Sequence, residues 1–246
     1  MHPVRPEFVP DPSLSRTEME ALQRDIATTA VFADDLDFDP LSTRFGENPL
    51  VAGVDQAFEG ETATSAIVVC SGGDVVDRVH ASERTEIPYV PGLLSFREGG
   101  AILAAFEELA HEPDLVLVDG SGRIHYREAG LATHVGVTLD VPTVGVAKSL
   151  LCGHPRQPLD DPLPEGERVP IESDGSVTAP TGAVIGYAVQ TRQYDSGSRY
   201  INPLYVSPGH RVSAETAAAV VANHATEYKL PEPIRLADAY AGDLTS

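Results

Sequence analysis

The sequence predicts an α/β fold: a single mixed sheet, an antiparallel meander followed by parallel strands, flanked by helices. Three observations carry that prediction. Between residues 49 and 81, three apolar runs are separated only by short turns, the pattern of strands joined as hairpins. Further along, apolar runs of strand length alternate with longer runs of helical period, which implies parallel pairing through crossovers. A chain of 246 residues that is 42% hydrophobic can bury one substantial core, and no internal repeat or low-complexity tract divides it, so 1–246 reads as a single domain.

Residues 1–44 read as an N-terminal helical extension. Within it, SRTEMEALQRDIATTA opens on the spacing Ser15 to Glu18, which lets two side chains cap the first turn reciprocally, and it places Met19, Leu22 and Ile26 at helical intervals. PLVAGVDQAF (49–58), TSAIVVC (64–70) and DVVDRVHA (74–81) make the meander, turning at Glu-Gly-Glu and at Gly72-Gly73. A helix over SFREGGAILAAFEELAHE, a strand over 115–118, a helix over GLATHVGVTLD and a strand over PTVGVAK follow. The segment 153–181 carries six prolines and scattered acids without periodicity, and reads as a loop excursion. Beyond it, AVIGYAVQT and INPLYVS read as two strands and SAETAAAVVANHA as a helix capped by Ser213.

Composition narrows the class. The N-terminus has no apolar signal region and no stretch approaches the about eighteen apolar residues of a membrane span, so a soluble, cytoplasmic protein without a membrane partner is expected, and a monomer. Cys70 and Cys152 lie far apart with no Cys/His cluster, which argues against structural zinc and a disulfide scaffold. Against 37 acidic residues stand 17 basic ones, of which only Lys148 and Lys229 are lysines, for a net charge of −20. Such a surface ordinarily counts against a nucleic-acid partner, which needs local positive potential. It is also what a chain working in very salty cytoplasm carries, because at about 1 M salt the Debye length is only about 3 Å.

Three carboxylates stand out. Asp119 ends the run Leu115–Val118 and is followed by Gly120 and Gly122. In open α/β sheets, groups that act on ligands gather outside the carboxyl ends of parallel strands, although an Asp-Gly pair is also an ordinary turn. Asp55 lies in the first strand among Val51, Ala52, Val54 and Phe58, where a charge needs a partner: an arginine or a metal. Glu98 shares a helix face with Ile102, Ala105 and Leu109, so it points with the core stripe, or else merely favours the helix N-terminus. Three acids converging from a strand, a helix start and a parallel-strand end could hold a hard cation such as Mg²⁺, and structural ion pairs can imitate the pattern.

The same residues carry a family likeness. VAGVDQAF, IPYVPGLLSFREGGAILAAFEEL, PDLVLVDGSGRIHYREAGLATHVGVTLDVPTVGVAKSLLCG and NPLYVSPGHRVSAETA, with YKLPEPIRLADAYA near the C-terminus, resemble endonuclease V in order over roughly residues 45 to 240. The resemblance implies an RNase H-like fold and Mg²⁺-dependent cleavage of a nucleic-acid strand at the second phosphodiester bond 3′ to a deaminated purine (hypoxanthine, as inosine), leaving 3′-hydroxyl and 5′-phosphate ends. It implies Asp55, Asp119 and Glu98 as metal carboxylates, with Lys148 and His210 completing the catalytic set. Lys148 also draws attention through the scarcity of lysine: at the end of an apolar strand it either snorkels or meets a phosphate. His125 matches a family histidine near the nucleic-acid channel, its role lying anywhere from phosphate contact to helix cap, and His134 reads as a packed helix residue. Pro88, Tyr89, Val90, Pro91 and Gly92 match the family's wedge. Two prolines stiffen that loop, so Tyr89 and Val90 can be pressed into a base stack while the displaced base enters a pocket where Gly92, Gly120 and Gly122 permit close backbone approach. The chain departs from the family pattern at Gly99-Gly100, where relatives carry a bulkier pair.

Inosine-containing DNA is therefore the leading partner. An inosine-specific ribonuclease acting mainly on RNA, or a module that binds inosine without cutting, are the alternatives. A binder would have no use for three converging acids facing a polyanion.

Overall fold

Gly60 and Gly72 take left-handed conformations, φ +59° and +60°, and close the two hairpins of the meander. The computed structural model describes residues 1–42, 49–159, 161–195 and 199–245; residues 43 and 44, the end of the expected N-terminal extension, lie outside the described residues. In that extension Ser15 and Glu18 form the reciprocal cap their spacing predicts and start α1 (Arg16–Thr29). The meander is β1 (Leu50–Glu59), β2 (Thr62–Ser71) and β3 (Asp74–Arg84). After it come α2 (Leu94–Glu107), β4 (Leu115–Asp119), α3 (Leu131–Leu139) and β5 (Thr143–Ala147). The chain continues through β6 (His154–Pro155), β7 (Arg168–Glu172), β8 (Val184–Val189), β9 (Leu204–His210), α4 (Ala214–His224) and α5 (Glu232–Leu244).

All described strands join one sheet in the order β3-β2-β1-β4-β5-β9-β8-β7-β6. β4 pairs parallel with β1 and with β5, and the remaining pairings are antiparallel, the mixed arrangement expected of an RNase H-like sheet. Alternation along the central strands builds a core on each face. Ala52, Val54, Val116 and Val118 pack with Ile102, Phe106 and Val135 under α2 and α3. Val51, Leu115, Leu117, Val144 and Val146 pack on the opposite face with Val220, Val221 and Ile234 of α4 and α5. Among the described residues no helix is long and apolar enough to cross a membrane.

One element corrects the sequence reading, and another lies where that reading assigned none. The excursion 153–181 is not all loop, because it contributes β6 and β7. Val169 and Ile171 alternate inward and pack with Ile124, Cys152, Leu163 and Ile185 in a third cluster, a period-2 signal that the intervening Pro170 conceals. The Pro170 carbonyl accepts the Arg156 N–H at 2.8 Å, so its amide faces the outer side of β7, where β6 pairs over only two residues, and the missing N–H costs no bond to β8. The C-terminal motif PEPIRLADAYA is a helix, α5, which crosses β1 so closely that a Cβ on Gly53 would meet the backbone of Pro233 and Ile234. Gly99 has a packing reason too: a side chain there would meet the Pro10 ring, so the N-terminal arm closes on α2, whereas Gly100 meets only the carboxylate tip of the exposed Glu83, which can swing aside.

Candidate active site

Period-2 alternation decides which strand ends can meet. On the face covered by α4 and α5, Val51 and Gly53 lead to Asp55, Leu115 and Leu117 lead to Asp119, and Val144 and Val146 lead to Lys148. The parallel register sets Val54 beside Val118 and Asp119 beside Val146, so Asp55, midway along the longer β1, emerges beside Asp119 and Lys148 at the carboxyl ends of β4 and β5. Lys148 Nζ lies 2.7 Å from Asp119 Oδ2. Glu98, at the start of α2 from the other face, is buried and close enough to feel the Asp119 charge.

The electrostatics are those of a crowded anionic site. Burial, then the charge of Asp119 and a hydrogen bond shared with it, hold the Asp55 carboxyl well above the usual carboxylate range, with Lys148 pulling the other way. Burial pushes Glu98 up to about 7, against Arg97 and with the help of Asp119. Burial alone would depress the Lys148 ammonium, but its hydrogen bond to Asp119 and the charges of Asp119, Asp55 and Asp238 outweigh it and raise its pKa. The Asp55 carboxyl facing that of Asp119 gives a hard-oxygen donor set for a divalent cation, whose charge would offset the repulsion that Asp55 feels. Among the described residues no three His, Cys, Asp or Glu side chains close to ligand spacing with one another. Mg²⁺ needs only one or two carboxylates and keeps waters for the rest, so Asp55 and Asp119, with Glu98 behind them, fit the ion.

Two residues that the sequence reading did not single out as site residues belong here. Asp238 on α5 is exposed, and its charge reaches both Asp55 and Lys148. The signal was an acid set four residues after Ile234, beside the buried stripe Ile234, Ala237, Ala241. Lys229 is half-buried and feels the Lys148 charge; its carbonyl accepts the Thr191 hydroxyl at 2.6 Å just past β8. Because β8 runs parallel to β5 with β9 between them, Thr191 lies at the same sheet edge, and both lysines of the chain gather there.

A cavity of about 460 Å³ opens beside Asp119 and Lys148, lined also by Tyr89, Pro91, Gly92, Gly120 and His125, within the size range of small-molecule sites. Ser95 lines it as well, its buried hydroxyl lacking a protein partner. Tyr89 at the rim is 64% exposed, whereas Val90 packs toward Met19, Leu93 and Phe96. His125 is buried; burial first, then Arg127, pushes it down to about 4, so it is neutral near pH 7. Its Nε2–H donates to the Gly92 carbonyl at 3.1 Å while Nδ1 accepts the Arg127 N–H at 3.2 Å. It is therefore a neutral brace for the loop rather than a cationic phosphate contact.

Two expectations fail. His210 pairs with Thr143, at the amino end of β5, because β9 returns antiparallel; it lies at the opposite edge of the sheet from Asp119. There it is buried, donating from Nε2 to Asp140 at 3.2 Å and accepting the Val31 N–H at Nδ1. Gly122 does not face the cavity: a side chain there would meet the Pro208 backbone, so its smallness serves the approach of β9. Cys70 and Cys152 are buried free thiols pushed up by burial to about 11 and about 12, and His134 is packed edge-on to Phe96.

The endonuclease V family model matches residues 39–239. Endonuclease V of Haloarcula marismortui is 65% identical over 99% of this chain and 97% of its own length. That of Halobacterium salinarum is 56% identical over 100% of both. The crystal structure of endonuclease V from Bacillus subtilis is similar with a TM-score of 0.80 and 27% identity, covering 99% of this chain and 97% of that one. The enzyme of Ciona intestinalis in complex with DNA containing an inosine followed by a ribo-adenosine is similar with a TM-score of 0.70 and 26% identity, covering 93% and 96%.

Proposed function

The chain belongs to the endonuclease V family and is an endonuclease, and from that premise we propose that it cuts DNA at the second phosphodiester bond 3′ to an inosine, with Mg²⁺ as cofactor. The observation that carries the reading is the adjacency of two sites at one sheet edge. A rimmed cavity able to take a displaced base opens directly onto Asp119 and Lys148. A relative in this family is known in complex with inosine-containing DNA, which supports the substrate.

Asp55 and Asp119 would hold the ion, Glu98 and Asp238 flanking them. When bound, the ion supplies a positive field that polarises the scissile phosphate and activates a water for attack. Lys148, raised in pKa and therefore charged near pH 7, is placed to exchange its contact with Asp119 for a non-bridging phosphate oxygen. Lys229, at the same edge, is a second cation for the strand. Glu98, pushed up to about 7, can take or return a proton near neutrality. The bond that breaks is the one between phosphorus and the 3′-oxygen, which leaves a 3′-hydroxyl and a 5′-phosphate. Tyr89, exposed at the cavity rim, fills the gap left in the stack, and the free Ser95 hydroxyl is available to the base edge.

The test is a set of matched strands with inosine or adenosine at one position, incubated with Mg²⁺ and with a chelator. Cleavage of the inosine strand alone, lost on chelation, is expected. Equal cutting of both strands, or undiminished cutting in chelator, overturns the reading.

A further inference from the structure

One carbonyl at the root of the rim loop receives three side-chain donors. Gly92 O accepts Gln23 Nε2–H at 2.9 Å, His125 Nε2–H at 3.1 Å and an Arg127 guanidinium N–H at 3.1 Å. Gly92 has φ +81°, in the left-handed region, which turns that carbonyl toward the donors. Gln23 is itself tied down: Arg127 Nε donates to its Oε1 at 2.7 Å, and Arg127 reaches Glu20 at 3.7 Å. Gln23 is 1% exposed although it lies on α1, which precedes the residues that the family model matches. A buried amide satisfied at both ends is costly to place and costly to break, so it holds one geometry.

We propose that Gln23 is a positioning residue for base extraction: through the Gly92 carbonyl, α1 fixes the angle at which Tyr89 meets the nucleic-acid stack. Two residues, Val90 and Pro91, separate Tyr89 from Gly92, and Pro91 restricts the backbone. The Leu93 N–H closes on the Val90 carbonyl at 2.9 Å, so an orientation set at Gly92 is passed to the rim. Removing the donor from Gln23 leaves α1 anchored by Met19 and Ile26, which pack into apolar clusters independently of the amide. The loop stays in place and loses its aim.

The inference rests on the reading that Tyr89 works as a wedge, and the experiment separates the two. Specificity constants are measured for an inosine in a duplex and in a single strand, at saturating Mg²⁺, for wild type, Gln23→Glu, Gln23→Ala and Tyr89→Ala. Gln23→Glu keeps the acceptor that Arg127 needs, removes the donor to Gly92 together with its longer contact to the Ala129 carbonyl at 3.5 Å, and turns a carboxylate oxygen toward both. The expected result is a duplex to single-strand ratio lowered roughly five- to tenfold in Gln23→Glu, the effect of one buried hydrogen bond, with Gln23→Ala lower again and Tyr89→Ala shifted in the same direction. A Gln23→Glu ratio equal to wild type, or an equal fall on both substrates, overturns the positioning role while Tyr89→Ala still lowers the ratio. A wild-type ratio in Tyr89→Ala, or a wild type that cuts only the single strand or neither, removes the wedge and the inference with it.

Discussion

Replacing Gly53 with alanine tests whether the crossing of α5 over β1 serves the site as well as the fold. The new Cβ would lie 2.5 Å from Ile234 N and nearer still to the carbonyl group of Pro233. These are backbone atoms at a helix start, which no rotamer change can move aside. Comfortable carbon contacts need about 3.5 Å, so the first turn of α5 must retreat by about 1 Å. Overpacking of this kind costs about 1–3 kcal/mol, which for a domain of this size lowers Tm by roughly 3–10 °C. Asp238, one turn beyond Ile234, moves with the helix away from Asp55. A displacement of that order at a reacting centre costs roughly 100-fold in rate. The assay pairs thermal unfolding with single-turnover cleavage of an inosine duplex at a temperature where the variant is fully folded. Gly73→Ala is the control, since a Cβ there meets nothing within 4 Å, and it should stay within about 0.5 kcal/mol of wild type. Wild-type Tm in Gly53→Ala would refute the packing argument. A lowered Tm with an undiminished rate would refute the role given to Asp238.

Asp55→Ala or Asp119→Asn should nearly abolish cleavage while retaining inosine binding, because Asp55 does not line the base cavity and Asp119→Asn keeps the shape of its wall; retained turnover in either would remove that residue from the metal site. Burial pushes His134 down to about 4 from an unfolded value near 6.5. The unfolded chain therefore takes the proton first as pH falls. Stability is lost between about 6.5 and about 4, by up to roughly 3 kcal/mol. Denaturant midpoints across that window should slope less in His134→Gln than in wild type, and equal slopes would count against the buried neutral ring. With a net charge of −20, cleavage should persist near molar salt. Ordinary binders lose affinity with a log–log slope near −0.9 per phosphate on B-DNA, but screening here also removes repulsion. Activity that peaks at low ionic strength and vanishes near molar salt would contradict this.

How much of the molecule was legible depended on whether a signal was local. The caps at Ser15 and Ser213 and the carboxylate closing the run 115–118 are written in adjacent residues and appear as read. Asp55, Asp119 and Lys148 share a face because each continues the alternation of its strand, so that face follows from parity, while the parallel register brings mid-strand Asp55 level with the ends of β4 and β5. His210 was misplaced because a motif after a strand does not say which way that strand runs against its neighbour. Only the antiparallel pairing of β9 with β5 puts it at the far edge. Asp238 was passed over because its helix has a thin apolar stripe of one isoleucine and two alanines, and its reach to Asp55 depends on a glycine 185 residues earlier in β1, Gly53. β7 was hidden by Pro170, and its partners Val184–Val189 and the cluster around Ile124 lie outside its own window.

The most direct test of the central claim is to map the cut. Duplexes of DNA and of RNA, each with and without one inosine and labelled at either end, are incubated with the wild-type protein and Mg²⁺, and the products are sized and their ends identified. The account predicts one break in the inosine-bearing DNA strand, at the second phosphodiester bond on the 3′ side, with 3′-hydroxyl and 5′-phosphate ends, and an intact control. A cut elsewhere relative to the inosine, a 3′-phosphate product, or cleavage confined to RNA would contradict it.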